Sequence, residues 1–186
     1  MAISQPDLSD SITAAPALLG WKLVHDGPEG RVAGYIVETE AYRQEDPASH
    51  SFRGPGMRNA VMFGPAGHIY VYFTYGMHFC MNIVTGPKGR GQAVLLRALE
   101  PVEGVELMQR RRGIEDIRKL ASGPARLTEA LGIGREHNGL KLGSNIRLEP
   151  GPKPENIVQT SRVGITKAID QPWRFYIKDN PFVSRK

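Results

Sequence analysis

The stretch HIYVYFTY (His68–Tyr75), followed by FCMNIVT (Phe79–Thr85), decides the fold class. It reads as a β-hairpin with Tyr75-Gly76-Met77-His78 at its tip. Strict alternation puts Ile69, Val71 and Phe73 on one face and Tyr70, Tyr72 and Thr74 on the other. A turn at Gly86–Gly91 leads to a further strand, Ala93–Leu99. Upstream, Trp21–Val24 and Arg31–Thr39 read as strands around the turn DGPEG (Asp26–Gly30), preceded by a short helix over Asp10–Leu19. A polar, glycine-rich loop runs from Arg43 to Asn59. Two helices follow the sheet. One starts at Pro101, with Glu103 and Glu106 in its first turn, Arg110–Arg112 in its last and Gly113 closing it, the order the helix dipole favours. The other opens at Ser122-Gly123-Pro124 and closes at Gly132. The chain returns to strand at Ser161–Thr166 and Trp173–Ile177. Without βαβ alternation, this order predicts an α+β fold with a mostly antiparallel β-sheet and surrounding helices.

The chain is 186 residues long, which suits one domain over 1–186, with 1–13 expected as a flexible N-terminal segment. Apolar residues make up 40% and charged residues 23%, a balance that excludes a wholly disordered or collagen-like chain. The 24 Lys+Arg against 19 Asp+Glu leave a charge of +5, which fits an anionic partner. With Cys80 alone, neither an intrachain disulfide nor a cysteine-based zinc cluster can form. No apolar run reaches the ~18 residues of a membrane span. Asp7 and Asp10 stand where a signal peptide would carry positive charge. The expectation is a cytoplasmic protein with no membrane partner.

Glu38 and Glu40, in VETEAY (Val37–Tyr42), share a strand face and form a carboxylate pair suited to general acid–base work. Spacing alone favours a solvated strand face. The apolar strand running into Glu40 and the glycine-rich loop beyond it favour the catalytic reading. The five histidines, His25, His50, His68, His78 and His137, form neither an HxxxH nor an HExxH pair, so no metal is expected. Tyr75 and Met77 flank a glycine at a hairpin tip, an arrangement that fits packing or a wedge entering a base stack. Arg97 interrupts the apolar run AVLLRALE and needs a partner there. Arg126 lies in the first turn of a helix whose free backbone N–H groups suit a phosphate.

In order and spacing, VETEAY, Ser49-His50, Arg58-Asn59, YVYFTYGMHFCMNI (Tyr70–Ile83) and VLLRALEP (Val94–Pro101) closely resemble the alkyladenine (3-methyladenine) DNA glycosylase family. SGPARL (Ser122–Leu127), RVGI (Arg162–Ile165) and RFY (Arg174–Tyr176) extend the match over roughly residues 14–185. The resemblance implies one compact domain built on a curved antiparallel sheet. It implies a monomeric enzyme that acts on double-stranded DNA containing damaged purines, flips the base and excises it without a cofactor. By motif position, Glu40 resembles the base that activates water and Arg97 the arginine beside that water. Tyr42, His50 and Tyr72 resemble the pocket around the flipped base, and Asn82 the group that rejects guanine. Tyr75 resembles the residue inserted into the duplex, with Met77 beside it, and Arg126 a phosphate contact. No lysine lies near these residues in sequence, so water is the expected nucleophile and the enzyme is expected to be monofunctional. The alternatives are a non-catalytic nucleic-acid-binding module of related fold and a protein-interaction domain whose Tyr-Met tip is a hot spot.

Overall fold

The computed structural model describes residues 5–185. Of the N-terminal segment 1–13, residues 1–4 lie outside the described residues, and Ser11–Thr13 belong to a helix, α1 (Ser11–Ala17). The Asp10 side chain caps it by accepting the Ile12 N–H at 2.8 Å. The small Ala14 and Ala15 let α1 lie close on the sheet, where the Thr39 hydroxyl donates to the Ala15 carbonyl at 2.8 Å.

Eight strands follow: β1 (Lys22–Gly27), β2 (Gly30–Tyr42), β3 (Ile69–Thr74), β4 (His78–Val84), β5 (Ala93–Glu103), β6 (Ile146–Glu149), β7 (Ile157–Thr160) and β8 (Arg174–Ile177). They form one antiparallel sheet in the order β3-β4-β5-β2-β1-β6, with β8 on β2 and β7 on β8. α2 (Val105–Arg112) and α3 (Pro124–Leu131) pack on each other, and α3 lies against β4 and β5. The main core includes Leu18, Ile36, Met81, Leu96, Leu99 and Leu127, all buried. The fold is therefore the expected α+β domain with a mostly antiparallel sheet.

β2 is where the sheet divides. β1 pairs with it as far as Tyr35, and β8 takes over the same edge at Glu38–Glu40. Between these stretches the pairing with β5 slips, between Ile36 and Glu38 and again between Glu38 and Thr39. Such bulges bend and twist a strand and break its period-two alternation. Accordingly Ile36 and Ala41 both enter the main core, although they stand five positions apart and would face opposite sides of a regular strand.

The structure corrects two expectations from the sequence and adds one strand. No helix starts at Pro101: β5 continues through Glu103, and α2 begins at Val105 after Gly104. Proline is tolerated in this strand because it sits at a register shift, opposite Gly34, where a ladder N–H can be spared. Glu103 is thus a strand residue, paired with Lys22 at 2.9 Å. The strand expected over Ser161–Thr166 lies earlier, at Ile157–Thr160, and 161–166 is irregular. Its Val163 N–H is spent on a side chain, as described below, instead of a ladder. β6 was not foreseen. It is short and charged, and it is held on β1 partly by ion pairs of Arg147 with Asp26 and of Glu149 with Lys22.

Gly104 makes the strand-to-helix junction with φ +67, and a Cβ there would stand 2.2 Å from the Arg31 carbonyl oxygen. Gly104→Ala is expected to cost at least about 2 kcal/mol through left-handed strain and this clash. Thermal unfolding should show Tm lowered by ~4 °C or more. An unchanged Tm would mean that the junction relaxes freely.

Candidate active site

Every second residue on three adjacent strands faces one cavity. Tyr72 lies opposite Cys80, Tyr70 opposite Asn82, and Asn82 opposite Leu95, with Arg97 two residues further along β5. The cavity measures about 480 Å³, a size that encloses a small organic ligand. Tyr42 at the end of β2, His50 of the 43–59 loop and the Val163–Lys167 loop complete its walls. Glu40 borders its inner end with essentially none of its surface exposed.

Glu40 is held from three directions. The Tyr42 hydroxyl donates to its Oε2 at 2.8 Å and the Val163 N–H to its Oε1 at 2.7 Å, while Arg97 lies 3.4 Å from Oε1. A carboxylate has about four lone-pair sites, so one remains for a further donor. Burial, followed by the neighbouring Glu40 charge, pushes the Tyr42 hydroxyl well above its ordinary value, which keeps it a proton donor. Burial alone would lower the Arg97 pKa, but the charges of Glu40 and Glu38 outweigh it and the net shift is upward. Arg97 is a permanent cation between two carboxylates.

The walls are aromatic. The His50 ring meets Tyr72 edge-on at 4.4 Å between centroids, and its Nδ1 lies 3.0 Å from the Tyr70 hydroxyl. Burial raises the Tyr70 pKa to about 12 and that of Tyr72 further still. Both hydroxyls therefore stay neutral. The Asn82 amide donates to the Tyr70 carbonyl at 3.1 Å, which fixes its orientation at the wall. Behind Tyr42, the Arg162 guanidinium packs 4.6 Å from the ring centroid and 5.1 Å from that of Trp173. Arg162 is ion-paired with buried Asp46 and donates to the Ala41 carbonyl at 3.1 Å.

The sequence model of the methylpurine-DNA glycosylase family matches residues 7–181. The chain belongs to the methylpurine-DNA glycosylase family. Its class is that of a DNA glycosylase, a hydrolase acting on N-glycosyl bonds. It is 57% identical over 183 residues to a protein of Methanoculleus marisnigri, covering 95% of each chain. It is 48% identical over 189 residues to one of Nitrosospira multiformis, covering 100% of this chain and 96% of the other. A Carboxydothermus hydrogenoformans protein is 50% identical over 181 residues, covering 95% of each. All three are provisionally named 3-methyladenine DNA glycosylases.

In this glycosylase, Glu40, Tyr42, His50, Tyr72, Tyr75, Asn82 and Arg97 line the same cavity. Tyr75 stands at the rim, 88% exposed, with φ +51 beside Gly76 at φ +69. Two successive residues at positive φ suit a type I′ hairpin turn, and for a tyrosine this costs roughly 1–2 kcal/mol. Met77 is 70% exposed on the same tip, outside the cavity wall. Arg126 does not reach the cavity. It is exposed and folds back on Ser122, whereas Pro124 of the same helix does line the wall.

Sequence reasoning missed Tyr70, Cys80 and Lys167 as cavity residues and Arg162 as a support. Tyr70 and Cys80 follow from strand alternation once the hairpin register is known. Lys167 carries no local signal: it is remote from the other site residues in sequence, and the β7–β8 loop brings it to the cavity mouth, where it is exposed. Among the described residues no group of three or more His, Cys, Asp or Glu could hold a metal ion, and no helix is long and apolar enough to cross a membrane.

Burial, then the charge of Arg58, lowers the His50 pKa below the ordinary 6.5. Its neutral ring persists below pH 6.5, so it presents an aromatic face that does not repel a cationic ligand. Because the folded value is the lower one, the stability this ring contributes is present above the unfolded value and lost as pH falls through the folded value. An NMR titration of the imidazole should give a midpoint below 6.5. A midpoint at or above that value would place the ring outside the crowded wall.

Proposed function

We propose that this glycosylase flips alkylated or deaminated purines of the 3-methyladenine, 7-methylguanine, hypoxanthine and ethenoadenine class out of duplex DNA. It then hydrolyses the N-glycosidic bond with a water activated by Glu40 and leaves an abasic site. The carrying observation is a carboxylate at the inner end of an aromatic cavity whose rim bears an exposed tyrosine on a hairpin tip. A base inside a duplex cannot enter such a cavity and must be extruded. Tyr75 fills the gap that extrusion leaves, with Met77 beside it. Arg126, at the N-terminus of α3, contacts a backbone phosphate. A cationic purine stacks among the faces of Tyr42, His50 and Tyr72, and Asn82 crowds the 2-amino group that undamaged guanine carries.

The reacting sugar develops oxocarbenium character, which the Glu40 charge stabilises while the same carboxylate takes the water's proton. A cationic base leaves without protonation, so one carboxylate suffices. With almost no exposed surface, Glu40 meets its water only after a small shift of Tyr42 or of the Val163–Lys167 loop, which keeps bulk water from it. Lys167 stays at the mouth and water is the nucleophile, so the enzyme is monofunctional and does not nick the strand; it works as a monomer and without a cofactor, as the family resemblance implies.

Glu40→Gln keeps size and removes the base. Binding to lesion duplex should persist while excision falls by at least ~10²-fold. Near-normal excision by the variant would remove Glu40 from the chemistry. Borohydride added during wild-type turnover should trap no covalent adduct, and a trapped adduct would assign the attack to an amine such as Lys167. A wild-type protein that binds these duplexes but releases no base would be a binding module.

Tyr75→Ala should impair flipping more than chemistry. Base–aromatic stacking contributes ~1–3 kcal/mol, so the flipped population should fall roughly tenfold or more on a paired lesion. A mismatched lesion has less stacking to replace and should lose less. Single-turnover rates on the two duplexes test this, and an equal loss on both would make Tyr75 a packing residue.

A further inference from the structure

The second carboxylate of the VETEAY motif is unused by the chemistry proposed above. Glu38 is fully buried and does not border the cavity. Its Oε1 accepts from Arg97 Nε at 3.1 Å and from Arg174 Nε at 2.7 Å, and its Oε2 accepts from the Ser184 N–H at 2.7 Å. These donors come from β5, β8 and the C-terminal segment.

Each edge of the Arg97 guanidinium has a different partner. Nε binds Glu38, one terminal nitrogen lies 3.4 Å from Glu40, and the other lies 3.5 Å from the Ser184 hydroxyl. Among the described residues, the contact with Glu38 is the fully buried hydrogen bond that holds the Arg97 guanidinium, and Glu38 does not border the cavity. A planar guanidinium held at one edge has its remaining donors aimed by that contact. The C-terminal segment is itself anchored. Val183 is buried against Val37 and Ala98, Asn180 donates to Glu100 at 3.1 Å, and Arg174 donates to the Arg185 carbonyl. The carboxylates of Glu38 and Glu40 balance the cations of Arg97 and Arg174, so the buried cluster is neutral.

We propose that Glu38 is a positioning residue of the glycosylase reaction. Together with the Ser184 backbone N–H, it holds Arg97 in the orientation that sets the Glu40 carboxylate. This rests on the reading of Glu40 as the water-activating base.

The test separates rate from binding. Glu38→Gln should lower single-turnover excision of a lesion by about 10²-fold, the scale of a misplaced catalytic group. Its affinity for a duplex carrying a non-cleavable abasic analogue should stay at the wild-type value. Ser184→Pro leaves Glu38 in place but deletes the N–H that holds it, and should reduce the rate in the same direction. Ser184→Ala, which keeps that N–H, should lose less. On an Arg97→Ala background, neither Glu38→Gln nor Ser184→Pro should reduce the rate further. Should Glu38→Gln fail to fold, the Ser184 variants and their Arg97→Ala combinations carry the same test. Wild-type rates in both Glu38→Gln and Ser184→Pro, or losses undiminished on the Arg97→Ala background, would overturn the proposal. A wild-type enzyme that releases no base overturns the glycosylase reading and this proposal with it, whereas an active wild type with unaffected variants overturns this proposal alone.

Discussion

A buried arginine between two buried carboxylates is the constraint on which the rest of the structure depends. Removing Arg97, Glu38 and Glu40 from water is costly, and one unmatched charge among them would cost several kcal/mol by itself. Arg174 makes the fourth charge and brings the cluster to neutrality. These groups come from β2, β5 and β8, with the Ser184 N–H added by the C-terminal segment. The cluster can be satisfied only when all four segments are docked. The division of the sheet along β2 serves this end, because β1 leaves the edge just before the position where β8 must deliver Arg174.

The cavity inherits its rigidity from that cluster on one side and from Arg162 on the other. Arg162 binds Asp46 and the Ala41 carbonyl while its flat face supports Tyr42. Tyr42 in turn holds Glu40. The position of the carboxylate is thus determined by contacts on three sides, as preorganised electrostatic stabilisation requires. The hairpin tip obeys the opposite logic. There a tyrosine in a left-handed conformation stands exposed to water beside an exposed methionine. Strain of this kind clusters at active sites and ligand clamps, which fits the insertion into the duplex proposed for Tyr75.

The hairpin, the short first helix, the third helix from Pro124 to its Gly132 stop and the family motifs were legible in the sequence. Each is encoded within a few residues, by period-two alternation, an Asp cap, or a proline and glycine at opposite helix ends. The grouping of Glu40, Tyr42, His50, Tyr72, Asn82 and Arg97 was legible as well, through motif order. The reading failed where a local signal had two meanings. Pro101 marks a helix start in isolation, yet a register shift opposite Gly34 lets it remain in a strand. RVGI reads as a strand, yet its polar groups serve Glu40, Asp46 and Ala41.

By itself the sequence determined the fold class, the elements with unambiguous local periodicity and part of the cavity lining, from Glu40 and Tyr42 to Asn82 and Arg97. Only the tertiary structure decided how those groups are held. Val163 reaches Glu40 across 123 residues and Ser184 reaches Glu38 across 146. The arrival of Lys167 at the mouth and the inversion of the β2 alternation are equally non-local. The physical reason is one of range. Periodicity and caps act over one or two turns of chain. A buried charge takes whichever donor the closing sheet brings to it, and that donor leaves no mark in the neighbouring sequence.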